Sequence, residues 1–288
     1  MESSFFPKIS IVTPSYNQGT YLEKTIVSIL SQRYPNLEYL IIDGGSSDCS
    51  IGSIRRYESH ITYWVSEPDA GQSSAINKGF QRASGELFGW VNSDDCLAEG
   101  ALHAVAEMYR RNPSAGAFVG AGDYIDRHDK VLMHKTPVPV TFRSLYDWLE
   151  LFHFMQPSCF FTRTAWERAG GLDESINYAM DLDLWFKIAQ NFSFELTDTL
   201  LSKSLVHAGA KTKRDKYLSE VDAAFVIMRH GGDAQARKNL DRIAAKLDFF
   251  EQWLGVITET RIFNLLLPRL KRLLGYADGH GQNTGRLP

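Results

Sequence analysis

The sequence predicts an α/β fold with a mostly parallel central sheet, flanked by helices and followed by a helical C-terminal extension. Short apolar strands alternate with amphipathic helices through the first hundred residues, and these strands end in polar or acidic residues. From Lys216 onward the pattern is wholly helical. Alternating strands and helices imply right-handed crossovers and parallel pairing, and 288 residues suffice for one large domain with an appendage.

The first hundred residues have the pattern of four strands joined by three helices. We expect strands at 9–13, 37–42, 62–65 and 87–91, and helices at 21–32, 51–57 and 73–83. Pro14 should stop the first strand, and Thr20 with Glu23 should form a capping box for the first helix. An open α/β sheet binds its ligands beyond the carboxyl ends of its strands, so the loops that follow them are the candidate site.

The rest of the chain mixes both element types before it becomes helical. We expect helices at 101–111, 145–151, 163–169 and 181–189, and strands at 115–124, 130–135, 157–162 and 194–206. The segment 261–274 is an amphipathic helix with a basic face, which a membrane interface would accommodate. Packing on the protein's own domain produces the same pattern and is the preferred interpretation. Residues 278–288 should be a disordered tail.

Composition excludes several classes of protein. The net charge of −3 gives no sign of a dedicated nucleic-acid binder. Three distant cysteines without a CxxC pair predict neither a zinc site nor a disulfide framework. No stretch reaches the roughly 18 apolar residues of a spanning helix, and the N-terminus has no signal-peptide pattern. We therefore expect a protein of a reducing, cytoplasmic compartment.

Asp94 and Asp95 follow the apolar run from Leu87 to Val91. Two adjacent carboxylates at the end of a buried strand repel each other, and a bound divalent cation such as Mg²⁺ or Mn²⁺ would relieve that repulsion. The alternative is a surface turn in which one of the two aspartates caps the next helix. This stretch alone leaves the two interpretations even.

Asp43 lies at the same predicted edge of the sheet and points to a nucleotide site. It ends the second strand before two glycines, which would let a planar base approach the backbone. A nucleoside diphosphate needs both a group that reads the base and a group that neutralises phosphate, so Asp43 strengthens the metal interpretation of Asp94 and Asp95. A turn without function remains the alternative for Asp43 by itself.

Four further side chains have both a functional and a structural interpretation. Asp181 and Asp183 stand two positions apart at a helix start, so one of them can face a cleft as a general base. Complementing the helix dipole is the simpler alternative. His207 could bind the metal or a phosphate, and Lys78 could bind a phosphate, although a lone histidine is more often structural and a lone lysine more often solvated.

Together these residues resemble the inverting glycosyltransferases of family 2, which share the GT-A fold. The similar segments are 12–17 (VTPSYN, the opening strand and loop), 41–48 (IIDGGSSD, the base-binding signature), 67–79 (a donor-side segment), 90–95 (WVNSDD, a version of the DxD motif) and 180–185 (MDLDLW, the motif of the base). His207 falls where many members carry a histidine that contacts metal or diphosphate. The resemblance covers residues 9–211, with the motifs in family order.

The resemblance implies a role for each matching residue. Asp181 would be the catalytic base, and Asp95 with His207 would hold Mg²⁺ or Mn²⁺. The donor nucleotide would contact Pro14, Tyr16, Asn17, Asp43, Asp69, Lys78 and Asp94, with Asp43 on the base and Asp94 on the ribose or sugar. The acceptor would lie near Gln156, Ser158 and Trp185.

Two departures from the family pattern affect the donor and the base. Met180 replaces the acidic residue that usually precedes the base. Ser74 and Ile76 stand where other members carry an aspartate or a donor-binding arginine. Contacts to the donor phosphates would therefore fall to Lys78.

The resulting prediction is a GT-A glycosyltransferase domain at 1–212, with a donor-binding half at 1–100, an acceptor-binding half at 101–212 and a helical extension at 213–277. It would transfer a sugar, with inversion, from a nucleoside diphosphate donor (UDP as the first choice) to a glycan or lipid-linked acceptor, as in surface polysaccharide or glycolipid synthesis. If segment 261–274 binds a membrane rather than packing on its own domain, it would make peripheral contact with the inner face of the membrane.

Two other functions compete with this prediction. A nucleotidyltransferase acting on a sugar phosphate also uses an open α/β sheet with acidic metal ligands, but the loop from Pro14 to Gly19 has no lysine or arginine for a triphosphate. A catalytically inactive module that binds a glycan or nucleotide is the non-enzyme alternative. The sequence does not predict the oligomeric state.

Overall fold

A mixed sheet of nine strands forms the centre of the computed structural model, which describes residues 6–207 and 209–259 (the backbone alone at 212, 213 and 250–259). The predicted basic helix at 261–274 and the predicted tail at 278–288 lie outside the described residues. The strands are β1 (Ile9–Ser15), β2 (Leu37–Asp43), β3 (Tyr63–Ser66), β4 (Leu87–Trp90), β5 (Asp95–Leu97), β6 (Ala117–Ile125), β7 (Val131–Lys135), β8 (Cys159–Thr162) and β9 (Phe194–Leu205).

The described residues also form helices, several of which pack on the two faces of the sheet. They are α1 (Gly19–Leu30), α2 (Ser50–Arg56), α3 (Gln72–Arg82), α4 (Ala101–Arg111), α5 (Trp148–Leu151), α6 (Arg163–Ala169), α7 (Met180–Ala189), α8 (Lys211–Arg214), α9 (Lys216–Arg229) and α10 (Asp233–Glu259). Short 3₁₀ turns lie at Glu58–His60, Ser144–Asp147 and Gln156–Ser158.

The strand order is β3-β2-β1-β4-β8-β6-β9-β5, with β7 paired to β6. The pairs among β3, β2, β1 and β4 are parallel, as predicted for the first hundred residues. β8 enters between β4 and β6 antiparallel to both, and β5 and β7 also pair antiparallel with their neighbours. The carboxyl ends of β1, β2 and β4 thus share one edge, while the second half of the sheet is mixed.

Two details of the first strand and helix differ from the prediction. β1 continues through Pro14, because its ladder with β4 ends at Val12 and Pro14 pairs only with β2. The expected capping box does not form. Thr20 makes no cap bond, because α1 begins at Gly19, two residues before the predicted start. Glu23 instead accepts hydrogen bonds from the side chains of Arg56 and Tyr57.

The core consists of two apolar layers, one on each face of the sheet. Along β1, Ile11 belongs to the layer beneath α1 and α4, and Val12 belongs to the layer that contains α3 and α7. This is the alternation that a strand buried on both faces requires. Gly79 of α3 lies so close to β1 that an added Cβ would be 2.5 Å from Cγ1 of Val12.

The chain divides into two compact units, and the first ends at Asn239. α8 and α9 therefore belong to the unit that carries the sheet, beyond the predicted domain end at residue 212. The second unit begins at Leu240 and contains the rest of α10. Within 6–207 and 209–259, no helix has the length and apolarity needed to cross a membrane.

Candidate active site

The two adjacent aspartates lie where a turn after β4 leads into β5, with Asp94 in the turn. Asp95 is the first residue of β5, where it pairs with Ser204 of β9. The next helix, α4, starts only at Ala101, and its N-cap is Gly100. Neither aspartate caps a helix, so the capped-turn interpretation is wrong.

Asp95 is a buried carboxyl group that forms no ion pair with a lysine, arginine or histidine in the described part of the chain. Its side chain accepts a hydrogen bond from Nδ2 of Asn92 at 3.0 Å, and the residue is 7% exposed. Burial, and next the charge of Asp94, raise the pKa of Asp95 to about 8. A cation at this position would favour the ionised form of Asp95, which is what a metal ligand requires.

His207 contacts the other aspartate of the pair. Its Nε2 lies 3.0 Å from Oδ2 of Asp94, and its ring packs on Tyr21 with centroids 4.5 Å apart. A cavity of about 230 Å³ beside Asp94 and another of about 560 Å³ beside His207 share Tyr21 and Arg127 in their walls. The predicted ligand His207 is thus at the site, held by Asp94.

These donors fit a metal that arrives with a phosphorylated ligand. In the described part of the chain, no three His, Cys, Asp or Glu side chains form a ready metal cluster. Mg²⁺ is usually held by one or two carboxylates and completes its shell with water and substrate phosphates. The buried Asp95, with Asp94 and His207 next to it, supplies that kind of incomplete set.

A chain of side-chain amides joins three parts of the site. Nε2 of Gln72, at the start of α3, donates to Oδ1 of Asn92 at 2.8 Å. Nδ2 of Asn92 lies within hydrogen-bonding distance of both Asp95 and Oε1 of Gln156, at 3.0 and 3.2 Å. Gln156 in turn donates to the carbonyl of Trp90 at 3.0 Å. Sequence reasoning missed Asn92 and Gln72, although both stand inside the quoted motifs.

Asp181 and Asp183 separate clearly in the structure. Burial raises the pKa of Asp181 to about 6, and its Oδ1 accepts a hydrogen bond from the neighbouring N–H of Leu182. Asp183 is fully buried against His230 and Lys187. Of the two, Asp181 is therefore the carboxylate with free capacity to act as a base.

Tyr124 lies between the acidic pair and Asp181, and sequence reasoning missed it. Ser204 pairs with Asp95 on one side and with Tyr124 on the other, so the three stand in one row across β5, β9 and β6. Burial, followed by the nearby charges of Asp95 and Asp181, raises the pKa of Tyr124 to about 12. No local sequence signal indicates this row, because it depends on the pairing of three strands distant in the chain.

The predicted base-binding residues form a loop cluster at the ends of β1 and β2. Asp43 is fully buried and accepts from the N–H groups of Gly45 and Ser46 and the hydroxyls of Ser46 and Ser66. Asn17 is tied to the same loop through Ser46 and Ser47. Asp43 therefore shapes the loop that a nucleobase would meet.

The other predicted donor-binding residues differ in their exposure and in the bonds that their side chains already make. Tyr16 is 63% exposed at the end of β1, next to the buried Pro14. Asp69 is exposed and accepts the N–H of Gly71 at 2.8 Å. Lys78 forms an ion pair with Glu67, so a donor phosphate would have to displace that carboxylate.

The predicted acceptor residues do not all reach the cleft. Gln156 is half-buried within the amide chain. Ser158 and Trp185 are fully buried: Ser158 lies 2.6 Å from the hydroxyl of Ser202, and the indole of Trp185 stacks on Trp90. A direct contact of Ser158 or Trp185 with an acceptor is therefore not compatible with this structure.

The fold and these side chains define a GT-A glycosyltransferase, an enzyme of mixed α/β architecture with an acidic site at the sheet edge. The chain belongs to Glycosyl transferase family 2, whose family model matches residues 10–170. This membership confirms the predicted family and sets aside the nucleotidyltransferase alternative.

Sequence relatives support the same class. An uncharacterized glycosyltransferase of Rickettsia typhi is 28% identical over 216 residues, which cover 73% of this chain and 68% of that protein. The chondroitin synthase of Escherichia coli is 26% identical over 203 residues, which cover 70% of this chain. The chain spans only 29% of that synthase and 32% of an uncharacterized glycosyltransferase of Rickettsia bellii.

Solved structures show the same fold. TarS from S. aureus (residues 1–349), in complex with UDP-GlcNAc, aligns with a TM-score of 0.61 at 17% identity, over 93% of this chain and 80% of that one. A mannosyltransferase from Pyrobaculum calidifontis, in complex with GDP-Man and Mn²⁺, aligns with a TM-score of 0.62 at 19% identity, over 95% and 82%.

Proposed function

We propose that this glycosyltransferase moves a sugar from a nucleoside diphosphate donor to an acceptor hydroxyl, with inversion at the anomeric carbon and with Mg²⁺ or Mn²⁺ bound at Asp95. The observation that carries the proposal is the position of Tyr124, which shares a strand row with Ser204 and Asp95. The charges of Asp95 and Asp181 both raise the pKa of Tyr124, so the candidate metal ligand and the candidate base lie near the same side chain.

The donor side is assigned to the acidic pair and the loops beside it. Asp95 would bind the cation, His207 would move from Asp94 to the metal or the diphosphate, and Asp94 would then be free to orient the ribose or sugar. Bound there, a divalent cation supplies charge neutralisation for the departing diphosphate. The loop organised by Asp43, with Asn17 and the exposed ring of Tyr16, would hold the base.

The acceptor side is assigned to Asp181. A carboxylate with a pKa of about 6 is mostly ionised at neutral pH and is a stronger base than an ordinary aspartate. It would take the proton of the acceptor hydroxyl while that oxygen attacks the anomeric carbon opposite the leaving diphosphate. Such an in-line displacement inverts the configuration at that carbon.

Relatives and neighbours narrow the choice of donor and acceptor. The TarS complexes contain UDP and UDP-GlcNAc, and the mannosyltransferase complex contains GDP-Man and Mn²⁺. We take a UDP-sugar as the first donor to test. The chondroitin synthase relative favours a glycan acceptor. The proposed role is surface polysaccharide or glycolipid synthesis at the inner face of the membrane, as expected from the family resemblance.

The test is a panel of nucleoside diphosphate sugars, assayed for release of nucleoside diphosphate with and without added Mn²⁺ or Mg²⁺. We expect turnover of one donor class that EDTA abolishes and either metal restores. Asp95→Ala should lose turnover and metal-dependent UDP binding together. A wild-type protein that binds the donor but never turns it over, with any metal, would instead support the inactive binding module.

A further inference from the structure

Asp183 anchors the helix that carries Asp181. Two residues after the candidate base, its carboxylate is fully buried, with Oδ1 2.9 Å from Nε2 of His230. The ammonium of Lys187 forms an ion pair with Oδ2 at 2.6 Å, one helical turn along α7. Burial works to raise the pKa of Asp183, but the bonds from His230 and Lys187 outweigh it and lower the pKa.

Contacts with Phe186, Phe142 and Tyr146 hold His230 in place. It follows α9, and its ring stacks on Phe186 of α7, with centroids 4.6 Å apart and planes 13° from parallel. Phe142 meets the same imidazole edge-on. The hydroxyl of Tyr146 donates to the carbonyl of His230 at 2.9 Å. The imidazole therefore presents Nε2 to Asp183 from a fixed position.

The loop that leads into α7 is bonded to side chains of α8 and α9. The guanidinium of Arg229 pairs with Asp173 at 2.7 Å. The N–H of Tyr178 donates to Oδ2 of Asp222 at 3.0 Å, three residues before Asp181. The ammonium of Lys211 donates to a backbone carbonyl of this loop. α8 and α9 thus hold α7 both before and after the candidate base.

Residues 181 and 183 lie on opposite sides of α7, because successive helical residues are about 100° apart. Any rotation or sliding that moves Asp183 therefore moves Asp181 by a similar distance. A displacement of about 1 Å at a reacting group can lower the rate by about 100-fold. The contact between His230 and Asp183 can therefore also determine the position of the Asp181 carboxylate.

We infer that His230 is a positioning residue for the transfer reaction, acting through Asp183 to aim Asp181 at the acceptor hydroxyl. The inference rests on the proposed role of Asp181 as base. It assigns a function to α9, which lies beyond the segment that the family model matches.

The principal test is His230→Leu, which keeps bulk beside Phe186 but removes the donor to Asp183. We expect kcat for donor turnover to fall by about 10- to 100-fold, while the Kd for UDP with Mn²⁺ stays unchanged. His230→Gln retains an N–H donor and should recover most of the lost kcat. His60→Leu is the matched control, because His60 is exposed and its imidazole bonds the hydroxyl of its neighbour Ser59.

A second variant decides the question if His230→Leu does not fold. Asp222→Ala removes the acceptor for the N–H of Tyr178 and a negative charge near Lys211. It should also lower kcat without changing the Kd for UDP. Hydrogen exchange should become faster in α7 in both variants. Unchanged kcat in every folded variant of His230 and Asp222, or a folded His230→Gln variant as slow as His230→Leu, would overturn the inference. A wild-type protein without turnover would instead refute the proposed function itself.

Discussion

Replacing Asp181 by asparagine should remove activity and increase stability at the same time. Burial raises the pKa of this carboxyl from 3.8 to about 6, so the folded protein resists an ionisation that the unfolded chain accepts. At about 1.4 kcal/mol for each pKa step of one, the shift amounts to about 3 kcal/mol. Solvent screening at this half-buried side chain reduces that energy. We therefore expect the free energy of unfolding of Asp181→Asn at pH 8 to exceed that of the wild type by about 1–3 kcal/mol.

The gain should depend on pH in a defined direction. A carboxyl whose pKa is raised by folding leaves stability intact below pH 4, where it is protonated in both states, and reduces stability as pH rises towards 6. The advantage of Asp181→Asn over the wild type should therefore be full at pH 8 and roughly half as large at pH 5. Urea unfolding at the two pH values measures it.

The same variant should lose about 10²- to 10⁴-fold in kcat, the usual contribution of a general base, with the Kd for UDP unchanged. Wild-type turnover should fall as pH drops through about 6, where the base becomes protonated. Asp198→Asn, at an exposed position of β9, is the control and should change neither quantity. A variant of Asp181 that is no more stable at pH 8, or that retains turnover, would refute the assignment.

Three further predictions concern the metal, the core and the base pocket. Asp95→Asn should abolish Mn²⁺-dependent turnover yet raise the midpoint of unfolding, because it removes a buried carboxylate; calorimetry with UDP and thermal unfolding test both effects. Gly79→Ala should lower the free energy of unfolding by about 1–3 kcal/mol, since the added Cβ would meet Val12. Gly52→Ala is the comparison: its Cβ would enter open space, and the variant should be more stable by about 0.5–1 kcal/mol. Urea unfolding measures both changes. Asp43→Asn should weaken UDP binding by about tenfold or more, because its amide would face two backbone N–H donors; calorimetry measures the loss.

Local patterns were sufficient for the part of the site that lies along single strands. Asp43 and Asp94 were found because a buried strand that ends in a carboxylate is visible in the sequence, and parallel pairing brings such ends together. The same local reasoning failed for Glu23. The spacing of Glu23 from Thr20 fits a capping box. In the structure, however, its carboxylate accepts hydrogen bonds from Arg56 and Tyr57, which lie more than 30 residues away in the chain.

Contacts between distant segments could not be predicted in this way. His230 and Asp183 are 47 residues apart, and no periodicity links them. Tyr124 reaches the site only because β9 pairs with both β5 and β6. Trp185 was assigned to the acceptor, although its place on the apolar face of a helix indicated the core, where the structure has it.

The packing of α7 explains how the two halves of the site keep their relative position. Trp90, four residues before Asp94, and Trp185, four residues after Asp181, are both buried, and their indoles stack with centroids 5.8 Å apart and planes 9° from parallel. On the neighbouring residue of α7, Phe186 stacks on the imidazole of His230. α7 is thus fixed between the strand of the acidic pair and the end of α9. Because a loss of packing on either side would shift Asp181 relative to Asp94 and Asp95, we expect changes at His230 and at Trp90 to affect the proposed transfer step in the same way, whatever the acceptor.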